Sequence, residues 1–172
     1  MARKPAVMYR QIKGQAFTRR KYMGGVPNRR INQFDMGSAK EEFPVQVSLR
    51  VDTKVQIRHN ALEACRIAAN RVMSKRVGTS NYHLKVKPYP HQVLRENKLA
   101  TGAGADRVSS GMRNSFGKNV SIAARLDIDQ EVITIRCNPQ NFTQAKRALW
   151  KASMKIPSTS YIEIDKGEEL LS

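Results

Sequence analysis

Residues 43–78 read FPVQVSLRVDTKVQIRHNALEACRIAANRVMSKRVG, and a change of rhythm inside this stretch decides the fold. Phe43, Val45, Val47, Leu49, Val51, Val55 and Ile57 all fall on odd positions, opposite Gln46, Ser48, Arg50, Lys54 and Arg58. Period two means one buried face and one wet face, so this is a long strand or two strands bent near Asp52 and Thr53. From Ala61 to Val77 the period becomes helical. Leu62, Cys65, Ala69, Val72 and Met73 line one face, while Arg66, Arg71, Lys75 and Arg76 occupy much of the rest. Asn60 with Glu63 three residues on forms a capping box, and Gly78 supplies a left-handed stop.

Outward from this core, Tyr82, Leu84 and Val86 alternate with His83, Lys85 and Lys87, which predicts a strand with a basic outer face. Pro88 and Pro90 interrupt it, and residues 91–97 read as a further short strand. Ile122, Ala124, Leu126 and Ile128 alternate again, and Asp129-Gln130 leads into residues 131–137, so a hairpin is expected here. Asn138-Pro139 opens a second helix as N-cap and first-turn proline. Its inner face is Phe142, Ala145, Leu149 and Ala152, and its outer face is Lys146, Arg147, Lys151 and Lys155. Pro157 ends it, and residues 161–164 close the domain as a last strand. The sum is an α+β domain, two helices packed on a mixed, largely antiparallel sheet. Residues 35–172 form that single domain, with a polar connection over 35–42 and an extended loop over 98–121.

Charge narrows the function. Against 31 Lys and Arg stand 14 Asp and Glu, a formal charge of +17. Such an excess repels itself in a compact chain unless a polyanion neutralises it, and nucleic acid does so with release of condensed counterions. No segment joins a basic face to a large lipid-facing apolar one, and no apolar run is long enough to span a bilayer, so no membrane partner is expected. The first 22 residues lack an apolar core of the secretory kind, which points to the cytoplasm. Cys65 and Cys137 stand where apolar residues belong and read as buried thiols, and the three histidines show no metal-ligand spacing.

Residues 1–34 carry Arg3, Lys4, Arg10, Lys13, Arg19, Arg20, Lys21, Arg29 and Arg30 and no acid. Tyr9, Phe17, Tyr22 and Phe34 are scattered among them, while Gly14, Gly24, Gly25 and Pro27 break any periodicity. This reads as an arm that orders on RNA, arginines on phosphates and aromatics on bases. Its removal is expected to spare the fold and weaken RNA binding.

The run GAGADRVSSGMRNSFGK, residues 102–118, lies in a loop longer than compact domains usually carry. It is not an enzyme's phosphate loop. Between Gly111 and Gly117 there is one residue too many for a Walker pattern, and Asn119 stands where a magnesium-binding Ser or Thr is required. Gly102 and Gly104 lack the third glycine of a dinucleotide fingerprint. Ser109, Ser110 and Ser115 have no general base assigned to them, and Asp127, Asp129 and Glu131 read as a solvated turn. The expectation is a protein with no catalytic residue, cofactor, metal or small-molecule substrate.

With VLRENKLAT and ALEACRIAANR before it, that run resembles the universal large-subunit ribosomal protein family called number sixteen in bacteria and ten-e in archaea and eukaryotes. MARKPAVMYR, GGVPNRRINQFDMG and ALWKASMKIP are similar to the archaeal and eukaryotic branch, so the resemblance covers essentially the whole chain. It implies a hammerhead-type α+β fold and a monomer within the ribosome, contacting large-subunit rRNA and neighbouring ribosomal proteins. It also implies a place between the central protuberance and the peptidyl transferase region, near A- and P-site tRNA. By position, Gly102, Gly104, Asp106, Arg107, Gly111, Met112, Arg113, Phe116, Gly117 and Lys118 form the tRNA-facing loop. Arg107, Arg113 and Lys118 would be its phosphate-facing cations, and the glycines would permit close backbone approach. The arm cations together with Arg66, Arg71, Lys75, Arg76, Lys85 and Lys87 would meet rRNA. One departure is Asn119-Val120, where many relatives have proline and then glycine. The alternative is a free-standing RNA- or tRNA-binding module or an assembly factor, which would not co-sediment in stoichiometric amount with large subunits after a salt wash.

Overall fold

The two apolar rhythms become strands and a helix at the expected places. A computed structural model describes residues 4–98, 100, 102–105, 112 and 115–171. In chain order its strands are β1 (Asp35–Gly37), β2 (Val45–Val51), β3 (Val55–Arg58), β4 (Tyr82–Val86), β5 (Gln92–Glu96), β6 (Lys118–Leu126), β7 (Glu131–Cys137) and β8 (Ser160–Lys166). The helices among the described residues are α1 (His59–Arg76) and α2 (Phe142–Ser153). One sheet has the order β1-β4-β7-β2-β8 and the other β3-β6-β5. Every pairing is antiparallel. The α+β class holds, with the single sheet of the sequence reading divided in two.

The division comes from one bent ribbon. Val47 faces Ile135 in the first sheet, and Ile57 faces Ala124 in the second. The chain pair β2–β3 therefore runs beside β6–β7 throughout and bends between the sheets at 52–54 and 127–130. At the bend Asp129 N–H bonds the Val51 carbonyl at 2.9 Å, and Lys54 Nζ lies 2.7 Å from Asp127. The expected hairpin of residues 122–137 is thus not formed. β3, carried into the second sheet by the bend at Asp52, takes β6 as its partner, while β2 in the first sheet takes β7. Asp129, at φ +62, turns the chain from one sheet to the other.

Other departures are local. The polar stretch after Phe34 contains β1, which pairs with β4 through its backbone and so needs no apolar alternation. Gly37 sits there at φ +85, and a Cβ would come within 2.1 Å of the Tyr82 carbonyl oxygen, so only glycine fits. Helix α1 begins at His59 with Arg58 in the cap position and no side-chain cap, so Asn60 does not cap it. Asn138-Pro139 opens a short 3-10 turn, Pro139–Asn141, and α2 proper starts at Phe142. β6 already begins at Lys118, inside the expected loop.

The helices pack on each other, with the Cys65 thiol donating to the Ala152 carbonyl at 3.3 Å. α1 lies against β3, β4 and β6, and α2 against β2, β7 and β8, so α1 bridges the sheets. Leu62, Cys65, Ala69, Val72 and Met73 are all buried, as their spacing predicts. Burying a side chain the size of Leu62 or Met73 stabilises by about 1.5–3 kcal/mol. Burial also raises both thiols, Cys65 to about 12 and Cys137 to about 11, which keeps them protonated and unreactive.

The arm contributes to this core. Ile31 is fully buried in it, and Phe34 packs beside it. Deleting residues 1–34 therefore empties a core position, contrary to the expectation that the body would be indifferent. Ile31→Ala is expected to lower unfolding stability in urea by about 2–4 kcal/mol, in the range of an ordinary core truncation. A change under about 0.5 kcal/mol would mean that the arm is a tail.

Candidate nucleic-acid interface

Most of the arm has no regular structure, only two 3-10 turns, Ala6–Tyr9 and Arg20–Tyr22. Its backbone groups must find partners elsewhere. They find them in side chains and edge N–H groups of the three-stranded sheet and at the start of α1. The Gln56 backbone N–H donates to the Arg10 carbonyl (2.9 Å), and its side-chain amide donates to the Gln11 carbonyl (3.0 Å). Arg125 donates to the carbonyls of Gly14 (2.8 Å) and Gln15 (3.1 Å), and Arg58 to that of Lys4 (3.0 Å). Phe17 N–H donates to the Gln92 side chain at 2.6 Å, and Val93 N–H to the Phe17 carbonyl at 3.1 Å. Arg30 N–H donates to His59 Nδ1 at 2.9 Å. Residues 4–25 of the arm are a strap fastened across the face of β3–β6–β5 that points away from α1, and the arm then returns to α1 at Arg30 and Ile31.

The root of the long loop joins the same strap. Arg95 donates to the carbonyls of Phe116 (3.1 Å) and Gly117 and to the Asn119 side chain, and its guanidinium carbon lies 3.8 Å from the Phe116 ring centre. Phe116 meets Phe17 edge-to-face at 5.5 Å. Asn119 donates to the Met23 carbonyl at 2.7 Å and to that of Gly25, which fixes the glycine turn of the strap. A proline at this position could do neither, so the departure seen in the sequence has a structural role here. Gly117, at φ +73, lies against the backbone of Glu96 and Asn97, where a Cβ would come within 2.4 Å.

The structure then sorts the cations. Several predicted RNA contacts are paired with acids. Lys4 binds Glu96, Arg66 holds Glu63 at 2.6 Å, Lys85 lies 3.6 Å from Asp35, and Lys87 lies 3.4 Å from Glu131. Arg66 is also largely buried, reaching Gln33 and Met36, so its guanidinium holds the strap rather than facing outward. Arg10, Lys13, Arg19, Arg20, Lys21, Arg29, Arg30, Arg71, Lys75, Arg76 and Lys118 are exposed, with no acidic partner among the described residues. Arg29 donates to the Tyr89 hydroxyl and Arg76 to Gln144. Gly102, Gly104, Met112 and Phe116 are exposed. Arg3, Asp106, Arg107, Gly111 and Arg113 lie outside the described residues.

The sequence reading missed Gln56, His59, Gln92, Arg95, Asn119 and Arg125 as fasteners. Their signal was faint but physical: polar side chains on a strand's wet face beside an arm unable to bond itself. Acids gather elsewhere, on the outer face of the five-stranded sheet. There Arg50 reaches Asp165 (2.6 Å), Glu163 (2.7 Å) and Glu131 (3.4 Å). Burial pushes the Asp165 carboxyl up, but bonds from Gln46, Arg50 and Ser48 outweigh it and hold it below its ordinary value. Among the described residues no group of three or more His, Cys, Asp or Glu is placed to hold a metal.

Fold and cation map define a small α+β protein whose strap, apart from Lys4, carries exposed cations with no acidic partner among the described residues. The family described as Ribosomal protein L16p/L10e matches residues 12–163. The chain belongs to that family. It is 56% identical over 171 residues to the large ribosomal subunit protein uL16 of Methanocella arvoryzae, covering 99% of each chain. It is 48% identical over 171 residues to that of Archaeoglobus fulgidus, covering 99% of this chain and 98% of the relative. The uL16 of Thermoplasma acidophilum is 47% identical over 170 residues, which is 99% of this chain and 97% of the relative.

The N-terminal fastening should be acid-sensitive. The hydrogen bond from Lys4 is the main cause that holds the Glu96 carboxyl below its ordinary value, and Tyr9 adds a second bond at 3.3 Å. A depressed carboxylate contributes stability above its unfolded pKa and loses it as pH falls through the folded value. Thermal unfolding midpoints of Glu96→Gln should therefore converge on wild type below that window and lie under it at neutral pH. Parallel curves at all pH values would show that the pair contributes nothing.

Proposed function

We propose that this chain is a non-catalytic structural constituent of the large ribosomal subunit, working in the cytoplasm and held there by large-subunit rRNA. The observation that carries this reading is the strap. Arg10, Lys13, Arg19, Arg20, Lys21, Arg29 and Arg30 are all exposed, without an acidic partner among the described residues, on a backbone pinned to the sheet. Phe17, Tyr22 and Phe116 stand exposed among them, offering faces for bases to stack on. Fixed cations lose little freedom on meeting phosphate, which is what favours a strap over a tail. The relatives named as large ribosomal subunit proteins supply the particle.

The finer placement follows from the family resemblance: between the central protuberance and the peptidyl transferase region, with the loop over 102–118 directed to A- and P-site tRNA. Its root supports this direction. Arg95, Phe116 and Asn119 fix where the loop leaves the body, beside the strap's exposed aromatics. Neighbouring ribosomal proteins would meet the remaining surface.

Two triple variants that remove equal charge test the sorting. Arg19→Ala/Arg20→Ala/Lys21→Ala removes unpaired strap cations, and Lys54→Ala/Lys85→Ala/Lys87→Ala removes paired ones. For binding to a single-stranded rRNA fragment, the strap triple should flatten the plot of log affinity against log salt by roughly 2. The paired triple should leave that slope nearly unchanged. Equal slopes would mean that net charge alone governs binding.

A further inference from the structure

The strap is not the one place where cations stand without acids. Between α1 and α2 runs a cleft of about 480 Å³ whose walls carry Arg71, Lys75, Arg76, Lys151 and Lys155, with Met154 among its apolar residues and no acid in the lining. None of the five has an acidic partner among the described residues. One turn before Met154 on α2 stands Trp150, the single tryptophan of the chain, 54% exposed, and Met154 itself is 61% exposed. We propose that this groove is a second RNA site, which tracks the phosphodiester backbone of a single strand and stacks one of its bases on Trp150. The proposal rests on the reading of the protein as RNA-binding, in which Arg71, Lys75 and Arg76 are already expected to meet rRNA, and it adds Lys151, Lys155 and Trp150 and a single-stranded occupant.

Two simpler accounts fall short. Cations near helix C-termini are favoured by the helix dipole, and Lys75, Arg76 and Lys151 lie in last turns. A helix end carries only about half an elementary charge, however, and five cations around one cleft repel each other far beyond that. Core packing does not explain Trp150 either. The inner face of α2 is Ala145, Ala148, Leu149 and Ala152, and Trp150 points out of it. An exposed indole outside the lining but one turn from its Met154 and next in sequence to its Lys151 gives the groove the two elements that sequence-tolerant single-strand binding uses, a π-face and a track of charge. An acidic protein would satisfy the charges but gives no role to an open aromatic face.

Position adds a consequence. Val55 and Ile57 of β3 join the core with α1, whereas the Gln56 side chain turns the other way to hold the strap. Residues 4–25 of the strap and the groove therefore lie on opposite sides of the body, and occupying both would pin two RNA segments together.

The single tryptophan makes the test local. The whole chain is titrated at about 0.15 M salt, where screening confines electrostatics to about 8 Å, with a short end-labelled oligouridylate, reading label anisotropy for binding anywhere and Trp150 fluorescence for the groove. The expected result is saturable quenching, with its midpoint weakened about tenfold by Lys151→Glu/Lys155→Glu and by the milder Lys151→Gln/Lys155→Gln in the same direction. Arg19→Ala/Arg20→Ala/Lys21→Ala should leave the quenching midpoint within about twofold, because its charges sit on the other face. Anisotropy change without quenching, quenching indifferent to both lysine pairs, or equal quenching by a polyglutamate peptide would overturn the groove and leave RNA binding by the strap intact. Absence of both signals would overturn the RNA-binding reading as well.

Discussion

Everything distinctive about this protein depends on side-chain donors reaching the carbonyls of a chain that cannot bond itself. The strap is too irregular for a helix or a ladder, and a peptide group laid against protein without a partner costs more than a lost hydrogen bond returns. Arg58, Arg125, Asn119 and Gln56 supply those partners from the β3–β6–β5 sheet, and Arg95 does the same for the carbonyls of the loop root. The buried Ile31 anchors the far end. A basic tail becomes a surface with fixed spacing.

That fastening gives the charge excess its meaning. Some arginines and lysines hold the protein together, either by acids, as at Arg50 and Arg66, or by carbonyls, as at Arg95 and Arg125. Others stand on the strap, the loop root and the helix groove with no acidic partner among the described residues. Acids cluster on the opposite sheet face around Arg50, where their own charge is consumed locally. A polyanion bound at the strap completes an electrostatic arrangement that the isolated chain leaves open.

Much of the fold was legible because burial writes itself as periodicity. Leu62 through Met73 and Val45 through Ile57 are buried where their spacing says. What escaped was whatever pairing decides. The run from Ile122 to Cys137 looks like a hairpin because alternation names a strand's faces and is silent about its neighbours. β1 escaped because its order comes from backbone bonds to β4. Cations were countable in the sequence, yet the partners that separate Lys85 or Arg66 from Lys13 or Arg19 lie many residues away or on another face. Asn119 showed itself only as a departure, and its work became visible once the strap's carbonyls were placed beside it.

Unpaired cations, not cations in general, should be the ones that meet RNA. Amine-selective acylation of each lysine, compared between the free chain and the assembled large subunit, tests it residue by residue. Lys13, Lys21, Lys75, Lys118, Lys151 and Lys155 should react readily in the free chain and lose that reactivity on assembly. Lys54 and Lys85, held by Asp127 and Asp35, should change little. Protection of the paired lysines, with the strap and groove lysines still reactive in the particle, would contradict it.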